Sequence, residues 1–213
     1  MRGFRGRSLD RRVDRREAHS SIAWRLAGCA DLIAIGLPLV LQLASIFINL
    51  IFSAQDLDRD SIPPLGEVAI WVTVFLVFSG PLGEEPGCPG FALPMMLRQQ
   101  GALAANMMLG LLWALWHLPL GLVGDLTLYG SVNAFLAAIV FTWLWQNTCG
   151  SVLLAILMHA SHQNSVRYLG QVYDGAEQVQ QQGITVLPWL PVALAILGTY
   201  GRMSFASTPD GTA

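Results

Sequence analysis

The residues with the clearest capacity for chemistry are two adjacent carboxylates, Glu84 and Glu85, in a chain that is otherwise strongly apolar. They lie in a Pro- and Gly-rich stretch, residues 83–90, with no basic residue beside them. A charged side chain at bilayer depth costs roughly 3 kcal/mol on insertion scales, so such residues usually mark a functional site. The pair therefore predicts a site within a membrane protein.

Three of the four histidines lie in or beside other apolar segments. His117 follows Trp113 by one helical turn, and His159 is followed at i+3 and i+4 by His162 and Gln163, which share its helix face. A lone histidine in an apolar helix is most often a packing residue. Carboxylates and histidines on three separate segments can instead neutralise and hydrogen-bond one another around a polar cavity.

These residue types suit hydrolysis by an activated water molecule. A carboxylate held in a dry, crowded site is a stronger base than one in water, and this fits a general base acting near neutral pH. Successive residues on a helix point about 100° apart. We therefore expect Glu84 and Glu85 to project in different directions, with only one of them facing fully into a given cavity.

Six apolar segments must position these side chains. They cover residues 32–52, 68–79, 102–123, 132–145, 151–160 and 184–200. The first has 21 residues without a charge, which is long enough to cross a bilayer. The chain is 54% hydrophobic and 12% charged, whereas a soluble domain carries about 25% charge. The sequence therefore predicts an all-α integral membrane protein, a polytopic bundle of about six transmembrane helices.

Straight helices would keep two of the candidate residues apart. Glu84 would lie about 24 Å along a helix that begins near Val68, toward the cytoplasmic side. His117 would lie toward the other side of the membrane. Either the spans begin elsewhere, or residues 81–94 form a broken segment that returns into the bundle. The density of proline and glycine there permits the second arrangement, because irregular backbone is tolerated where it lines a polar cavity.

Composition also predicts the domain layout and the orientation. We expect a basic cytoplasmic tail at 1–21, a membrane-embedded domain at 22–203 and a short polar tail at 204–213. Seven of the twelve arginines lie in the first sixteen residues, before the first span, which favours cytoplasmic termini and a multi-pass protein of the inner (plasma) membrane. The bilayer is the expected partner, and a net charge of −2 argues against nucleic acid. Residues 178–182 are predicted to form a solvated loop.

Three motifs in this chain resemble those of the CPBP family of intramembrane proteases. They are the acidic pair followed by Phe-x-Leu-Pro, then Trp-x-x-x-His-x-Pro, then Ser-Val-Leu-Leu-Ala-Ile-Leu-x-His-Ala-Ser. The family contains the CAAX prenyl endopeptidases and bacterial relatives linked to bacteriocin processing or self-immunity. The resemblance implies an endopeptidase whose peptide or protein substrate is presented at the membrane.

The resemblance also assigns roles to the matching residues. It implies that Glu84, the first residue of the acidic pair with Glu85, is the base that activates the attacking water. His117 would help to hold that water. His159, together with the amide of Gln163 one turn later, would stabilise the oxyanion.

Metal dependence stays open at this point. Family members have been described as metalloproteases, and Glu84, His117 and His159 could in principle bind zinc with an open position for water. Their spacing lacks the compact His-Glu-x-x-His arrangement. No other cofactor is expected. Cys88 stands beside two acids, where no positive charge stabilises a thiolate, and is therefore predicted to be a packing residue.

Three positions depart from the family pattern of Glu-Glu-x-x-x-Arg, Phe-x-x-x-His and His-x-x-x-Asn. This chain has Pro89, Trp113 and Gln163 at the positions of Arg, Phe and Asn. Asn164 comes one residue late and is expected on another helix face. The proline removes a charge and breaks a helical turn. Glu85 would then be protonated or paired with Arg98, or the catalytic geometry would be lost.

The leading hypothesis is an intramembrane endopeptidase that uses a glutamate-activated water with histidine support. The first alternative is a catalytically impaired relative that acts as a membrane scaffold or self-immunity protein, which the missing arginine favours. The second is a small transporter or proton-relay protein, in which buried Glu and His side chains would carry ions. The sequence shows no internal repeat, and many transporters have one.

Overall fold

The computed structural model describes residues 29–52, 64–78, 80–123, 126–173 and 175–205, and all regular structure within these ranges is helical. The predicted all-α class is therefore confirmed. The predicted basic tail, and all but the first two residues of the predicted C-terminal tail, lie outside the described residues.

The described residues form nine α-helices. In chain order they are α1 (Ala30–Phe52), α2 (Leu65–Phe78), α3 (Pro81–Glu84), α4 (Leu93–Gln99), α5 (Ala102–Trp116), α6 (Leu118–Leu122), α7 (Leu128–Asn147), α8 (Val152–Leu169) and α9 (Gly175–Phe205). A π-helical turn, Cys88–Ala92, precedes α4, and a 3₁₀ turn, Gly170–Val172, follows α8.

Four stretches in the described part of the chain are long and apolar enough to cross a membrane. They are Ala30–Phe52, Ala102–Leu122, Leu128–Asn147 and Gly175–Thr199. The protein is thus a multi-pass membrane protein, but the expected number of about six spans is not confirmed. Helix α2 has 14 residues, which is about 21 Å, shorter than the hydrocarbon core of roughly 30 Å. Helix α8 is long enough but too polar to qualify.

Helix α8 contacts α1, α2, α3, the π-helical turn and α7. It also meets α5, because the ring of His159 lies 5.1 Å from that of Trp113. Helix α7 packs between α5 and α9. The hydrophobic core joins α1, α5, α7, α8 and α9 and contains Trp113, Phe141, Met158 and Trp189. This arrangement gives α8 a largely buried environment although its sequence is polar.

A sharp reversal places α8 against the bundle. Helix α7 is followed by Cys149 and Gly150, which have positive φ angles of 55° and 77°. Ser151 then caps α8, because its side-chain oxygen accepts a hydrogen bond from the Leu154 backbone amide at 3.3 Å. The helix continues to Leu169, well beyond the apolar segment 151–160 predicted from the sequence, because its polar residues face the interior of the bundle.

The chain between α3 and α5 is broken, as the density of proline and glycine predicted. Helix α3 ends at Glu84, and the π-helical turn begins with Cys88 and Pro89. This segment approaches the start of α8 closely. A Cβ atom at Gly90 would lie 3.3 Å from the Val152 side chain and 3.3 Å from the Glu85 carbonyl oxygen. The break therefore brings the acidic pair up to α8.

The prediction of a solvated loop at 178–182 is wrong. These residues lie within α9, and Gln181 is only 1% exposed. Its amide nitrogen donates to Ser45 Oγ at 2.8 Å, and Gln180 donates to Asn49 Oδ1 at 2.7 Å. The glutamines are helical and partly buried because α1 presents polar partners along the face that α9 covers.

Candidate active site

The shortest polar contact of the site joins Glu85 to His159. Glu85 Oε1 lies 2.6 Å from His159 Nδ1, and the Glu85 side chain is 0% exposed. A hydrogen bond between these two atoms needs one proton, carried by either His159 Nδ1 or the Glu85 carboxyl group. The structure therefore gives Glu85 a histidine partner, whereas Arg98 is exposed on α4. The loss of the motif arginine at Pro89 does not leave Glu85 without a partner.

Glu84 is held separately, by α5. The indole N–H of Trp113 donates to Glu84 Oε2 at 3.1 Å. Glu84 is half-buried, in contrast to the fully buried Glu85. The two adjacent carboxylates thus point to different helices, as the angular spacing of neighbouring residues predicted.

Trp113 also contacts the two histidines His117 and His159. Its ring lies edge-on to His159 with centroids 5.1 Å apart, and 6.4 Å from the ring of His117. The sequence placed Trp113 one helical turn before His117, at the family's Phe position, but its N–H donor was not predicted. The residue type itself indicated such a donor, because tryptophan, unlike phenylalanine, carries a polar N–H that usually has a hydrogen-bond partner when buried.

His117 lies at the junction of α5 and α6. Its Nδ1 is 2.8 Å from the Trp113 carbonyl oxygen. A carbonyl oxygen only accepts hydrogen bonds, so this contact assigns the proton to Nδ1 and leaves a lone pair on Nε2 in the neutral ring. His117 and His159 both line the same interior cavity.

The amide of Gln163 lies close to Glu84, whereas that of Asn164 is bonded within its own helix. A Cβ atom at Gly80 would lie 3.7 Å from Glu84 Oε1 and 3.6 Å from Gln163 Oε1, so the two side chains face a common point. Gly80 has a φ of +156° and ψ of −81°, a combination that favours glycine. The Asn164 amide donates to the Ala160 carbonyl oxygen of its own helix at 2.7 Å.

His162 is a further polar residue of the site region, to which the sequence gave a helix face but no role. Its Nε2 lies 3.4 Å from the amide nitrogen of Asn133, and its ring is edge-on to Trp189 at 4.7 Å. Because an amide nitrogen only donates, this contact makes Nε2 the acceptor and places the proton on Nδ1. That Nδ1 is buried without a hydrogen-bond partner.

These side chains surround one side of a cavity of about 680 Å³. Trp113, His117, His159 and Gln163 line it, together with residues from α1, α7 and α9. The two carboxylates do not line it; they lie behind the Trp113 and His159 side chains to which they are hydrogen-bonded. The arrangement can place a polar substrate group in the cavity against a histidine and an amide.

The described residues do not fit the zinc set that the resemblance implied. Nowhere in the described ranges do three His, Cys, Asp or Glu side chains come together as a group that could hold a metal ion. Glu85 instead bonds His159, and Glu84 bonds Trp113. Zinc dependence therefore stays a prediction, and the chemistry derived for the site uses protein groups alone.

Cys88 has the environment of a packing residue, as predicted. It contacts the hydrophobic cluster of Leu93, Ala105 and Leu109. Burial raises the pKa of the Cys88 thiol, and the nearby charges of Glu85 and Glu84 raise it further. A thiol of this kind is a poor nucleophile because little thiolate is present.

The fold and the site together define a class: a multi-pass helical membrane protein with an acidic pair and histidines gathered inside the bundle. Comparison with known families gives the same result. Residues 66–164 match the family model described as "Type II CAAX prenyl endopeptidase Rce1-like". The resemblance to the CAAX-type proteases that the three motifs indicated is thereby confirmed, and the matched range contains every candidate site residue.

A curated relative shows the same resemblance at greater distance. The chain is 28% identical over 98 residues to a protein named CAAX prenyl protease 2 from Methanococcus maripaludis. The aligned part covers 40% of this chain and 36% of that protein. The chain therefore spans little more than a third of the length of this relative.

Proposed function

We propose that this protein is an intramembrane endopeptidase that hydrolyses a peptide bond through a water molecule activated by Glu84. The observation that carries this proposal is the hydrogen bond between Glu85 Oε1 and His159 Nδ1, which are 2.6 Å apart. The two residues are 74 positions apart in the chain. Their hydrogen bond brings the first and third motifs together, and the Trp113–Glu84 hydrogen bond adds the second. The family match supports a protease as the class of enzyme.

Glu84 is the better base of the two carboxylates. Trp113 holds Oε2, so Oε1 is left to accept a proton from water on the side where the Gln163 amide also lies. The Nε2 lone pair of His117 can accept the second hydrogen of that water. Loss of a proton to Glu84 yields the nucleophile, whose oxygen attacks the carbonyl carbon while the carbonyl π electrons move to oxygen.

His159 and Gln163 supply the electrostatic half of the mechanism. Nδ1 of His159 is hydrogen-bonded to Glu85 and the residue lines the cavity, so a ring carrying both protons would offer Nε2–H as a second donor. Together with the Gln163 amide it would stabilise the tetrahedral oxyanion. Collapse of this intermediate breaks the C–N bond, and the proton taken up by Glu84 passes to the leaving amine.

The substrate we propose is a peptide or protein segment presented at the membrane. The name of the Methanococcus maripaludis relative makes a prenylated CAAX tail one candidate. We further propose that the protein lies in the plasma membrane with both termini cytoplasmic, which is what the arginine distribution predicts. Tag accessibility at each terminus in sealed, oriented vesicles tests this orientation.

The central experiment compares wild type with Glu84→Gln on peptides presented in lipid vesicles, prenylated and unprenylated, with and without a chelator. We expect cleavage by the wild type and a loss of about 10²–10⁴-fold in the variant. Asp31→Asn is the matched control, because Asp31 is an exposed carboxylate on the first turn of α1. Equal turnover by wild type and Glu84→Gln would contradict the proposal, and loss of activity in the chelator would restore the zinc hypothesis.

The alternative of an impaired relative receives no support from the geometry of the site. It depended on the loss of the motif arginine at Pro89, but His159 now provides the missing partner of Glu85. The transporter alternative likewise has no specific contact in its favour. The protease hypothesis is therefore the one we carry forward.

A further inference from the structure

We call Glu84, Glu85, His117 and His159 the acid–histidine cluster. The cavity beside this cluster has a second wall that the hydrolysis does not use. We call it the amide wall: Gln42 from α1, Asn133 from α7, His162 from α8, and Gln181 with Thr185 from α9. All five are neutral polar side chains in the interior of a membrane bundle. His162 lies one helical turn beyond His159, so the amide wall begins next to the reaction site.

Several polar atoms of the amide wall are buried and have no hydrogen-bond partner. They are Gln42 Nε2, Gln42 Oε1, Gln181 Oε1, Asn133 Oδ1 and His162 Nδ1. Gln42 and Gln181 are each 1% exposed. A buried polar group without a partner destabilises the folded protein. All five atoms belong to residues that line one cavity, so a hydrogen-bonding group in that cavity would have unpaired donors and acceptors close to it.

We propose that the amide wall is a specificity subsite for an uncharged polar side chain of the substrate peptide, such as Asn, Gln, Ser or Thr. Gln42, Gln181 and His162 are the specificity-determining residues. This proposal rests on the proposed function, because it names the substrate class of the same site. A volume of about 680 Å³ admits this side chain together with several residues of the peptide main chain.

The chemistry of the unpaired atoms selects a neutral polar group. Gln42 offers donors and an acceptor, Gln181 Oε1 only accepts, and the His162 Nδ1–H donates. A carboxamide or hydroxyl group both donates and accepts, so it can satisfy both kinds of atom. An aliphatic side chain would leave all of them unpaired, and a carboxylate would confront acceptors that it cannot pair with.

A basic substrate side chain is disfavoured by the charges around the cavity. No Asp or Glu is among the lining residues, and Arg167 is one of them. A cation would therefore lose its hydration without gaining an opposite charge. If the positive charge of Arg167 determined which side chain binds, the site would instead prefer Asp or Glu. The test below distinguishes this outcome.

The test uses peptides that differ at one position at a time, with Gln, Ser, Leu or Glu there, presented to the full-length protein in lipid vesicles. At one position we expect wild-type kcat/KM for Gln and Ser to exceed that for Leu by about tenfold, which corresponds to one well-formed hydrogen bond. In Gln42→Met this ratio should fall to about 1. A preference for Glu, or equal cleavage of all four, overturns the subsite.

Gln180→Met is the matched control. Gln180 is the neighbouring glutamine on α9, but it donates to Asn49 and does not line the cavity, so this variant should keep the wild-type preference. Gln42→Met is expected to fold, because it removes an amide that has no hydrogen-bond partner. Gln181→Met provides a second variant with the same expected loss of preference.

Binding measurements test the subsite independently of the proposed hydrolysis. Affinities of fluorescent forms of the same peptides are measured on the Glu84→Gln background, which does not need turnover. Tighter binding of Gln than Leu peptides, lost in Glu84→Gln/Gln42→Met, supports the subsite even if no cleavage occurs in the wild type. Cleavage that requires Glu84 but is indifferent to the Gln or Leu side chain leaves the function standing and overturns the subsite.

Discussion

Two polar regions lie inside the bundle, and they are organised in opposite ways. In the acid–histidine cluster each carboxylate has one oxygen hydrogen-bonded to a protein partner, Glu85 Oε1 to His159 and Glu84 Oε2 to Trp113, while Glu85 Oε2 has none. In the amide wall the groups are neutral, and atoms of Gln42 and other members have no partner. The comparison teaches that each buried carboxylate is anchored through at least one hydrogen bond, whereas neither polar atom of the Gln42 amide has a partner.

Electrostatics explains the difference. A lone charge in a low-dielectric interior is very costly, so carboxylates there are tolerated only with a partner. A neutral amide costs less when unpaired, and a cavity can hold several of them at once. The two regions therefore differ in what a substitution should do to them.

The largest effect is expected for the Glu85–His159 pair. Removing one partner of a buried pair by Glu85→Ala should destabilise the protein by roughly 3–5 kcal/mol, because the remaining polar group stays buried alone. It should also abolish cleavage, since Nδ1 of His159 loses the carboxylate that orients it. The measurement is reversible unfolding together with peptide cleavage.

A double-mutant cycle completes this prediction. Glu85→Ala/His159→Ala should be less destabilised than the sum of the two single variants, because the pair is lost as a unit. Additive free energies of unfolding would show that the 2.6 Å contact contributes no coupling.

The second prediction concerns Trp113. Trp113→Phe keeps an aromatic ring against His159 but removes the N–H that donates to Glu84. We expect kcat to fall about tenfold with a smaller change in KM, because one hydrogen bond to the base is lost. Trp116→Phe is the control, since Trp116 is on the same helix and 70% exposed. A fall in both variants would indicate a general packing effect.

Sequence information was sufficient for some of these features. Hydropathy predicted the helices α1, α5 with α6, and α7, because long apolar runs determine spanning segments locally. The cost of unpartnered charges predicted that the acidic pair would meet histidines. The density of proline and glycine predicted the broken segment before α5, since these residues act on the backbone within a few positions.

Partner choice was not predictable in the same way. Whether Glu85 meets His159 or Arg98 depends on the turn after Glu84 and on the placement of α8, which no local pattern specifies. The glutamines at 178–182 were wrongly predicted to be solvated because their partners, Ser45 and Asn49, lie more than 130 positions earlier. A polar residue is predicted to be solvent-exposed when the helix that supplies its buried partner is not yet known.

The third prediction separates two neighbouring amides on α8. Gln163→Ala should reduce cleavage about tenfold, because it removes the amide that faces the same point as Glu84 Oε1. Asn164→Ala should affect cleavage less and stability more, by about 1 kcal/mol, since it removes the hydrogen bond to the Ala160 carbonyl. The reverse pattern would show that the family's amide role belongs to Asn164.

The smallest effect is expected at Ser45, which supports the amide wall from α1. Ser45 Oγ accepts from Gln181 at 2.8 Å and donates to the Gln42 carbonyl oxygen at 2.7 Å. Ser45→Ala should cost about 1 kcal/mol of folding free energy, because only neutral hydrogen bonds are lost. Thr73→Ala, which removes an exposed hydroxyl from α2, should cost less. If Ser45→Ala destabilised the protein as much as Glu85→Ala, neutral and charged interior groups would be equally costly to leave unpaired, and the contrast between the two regions would fail.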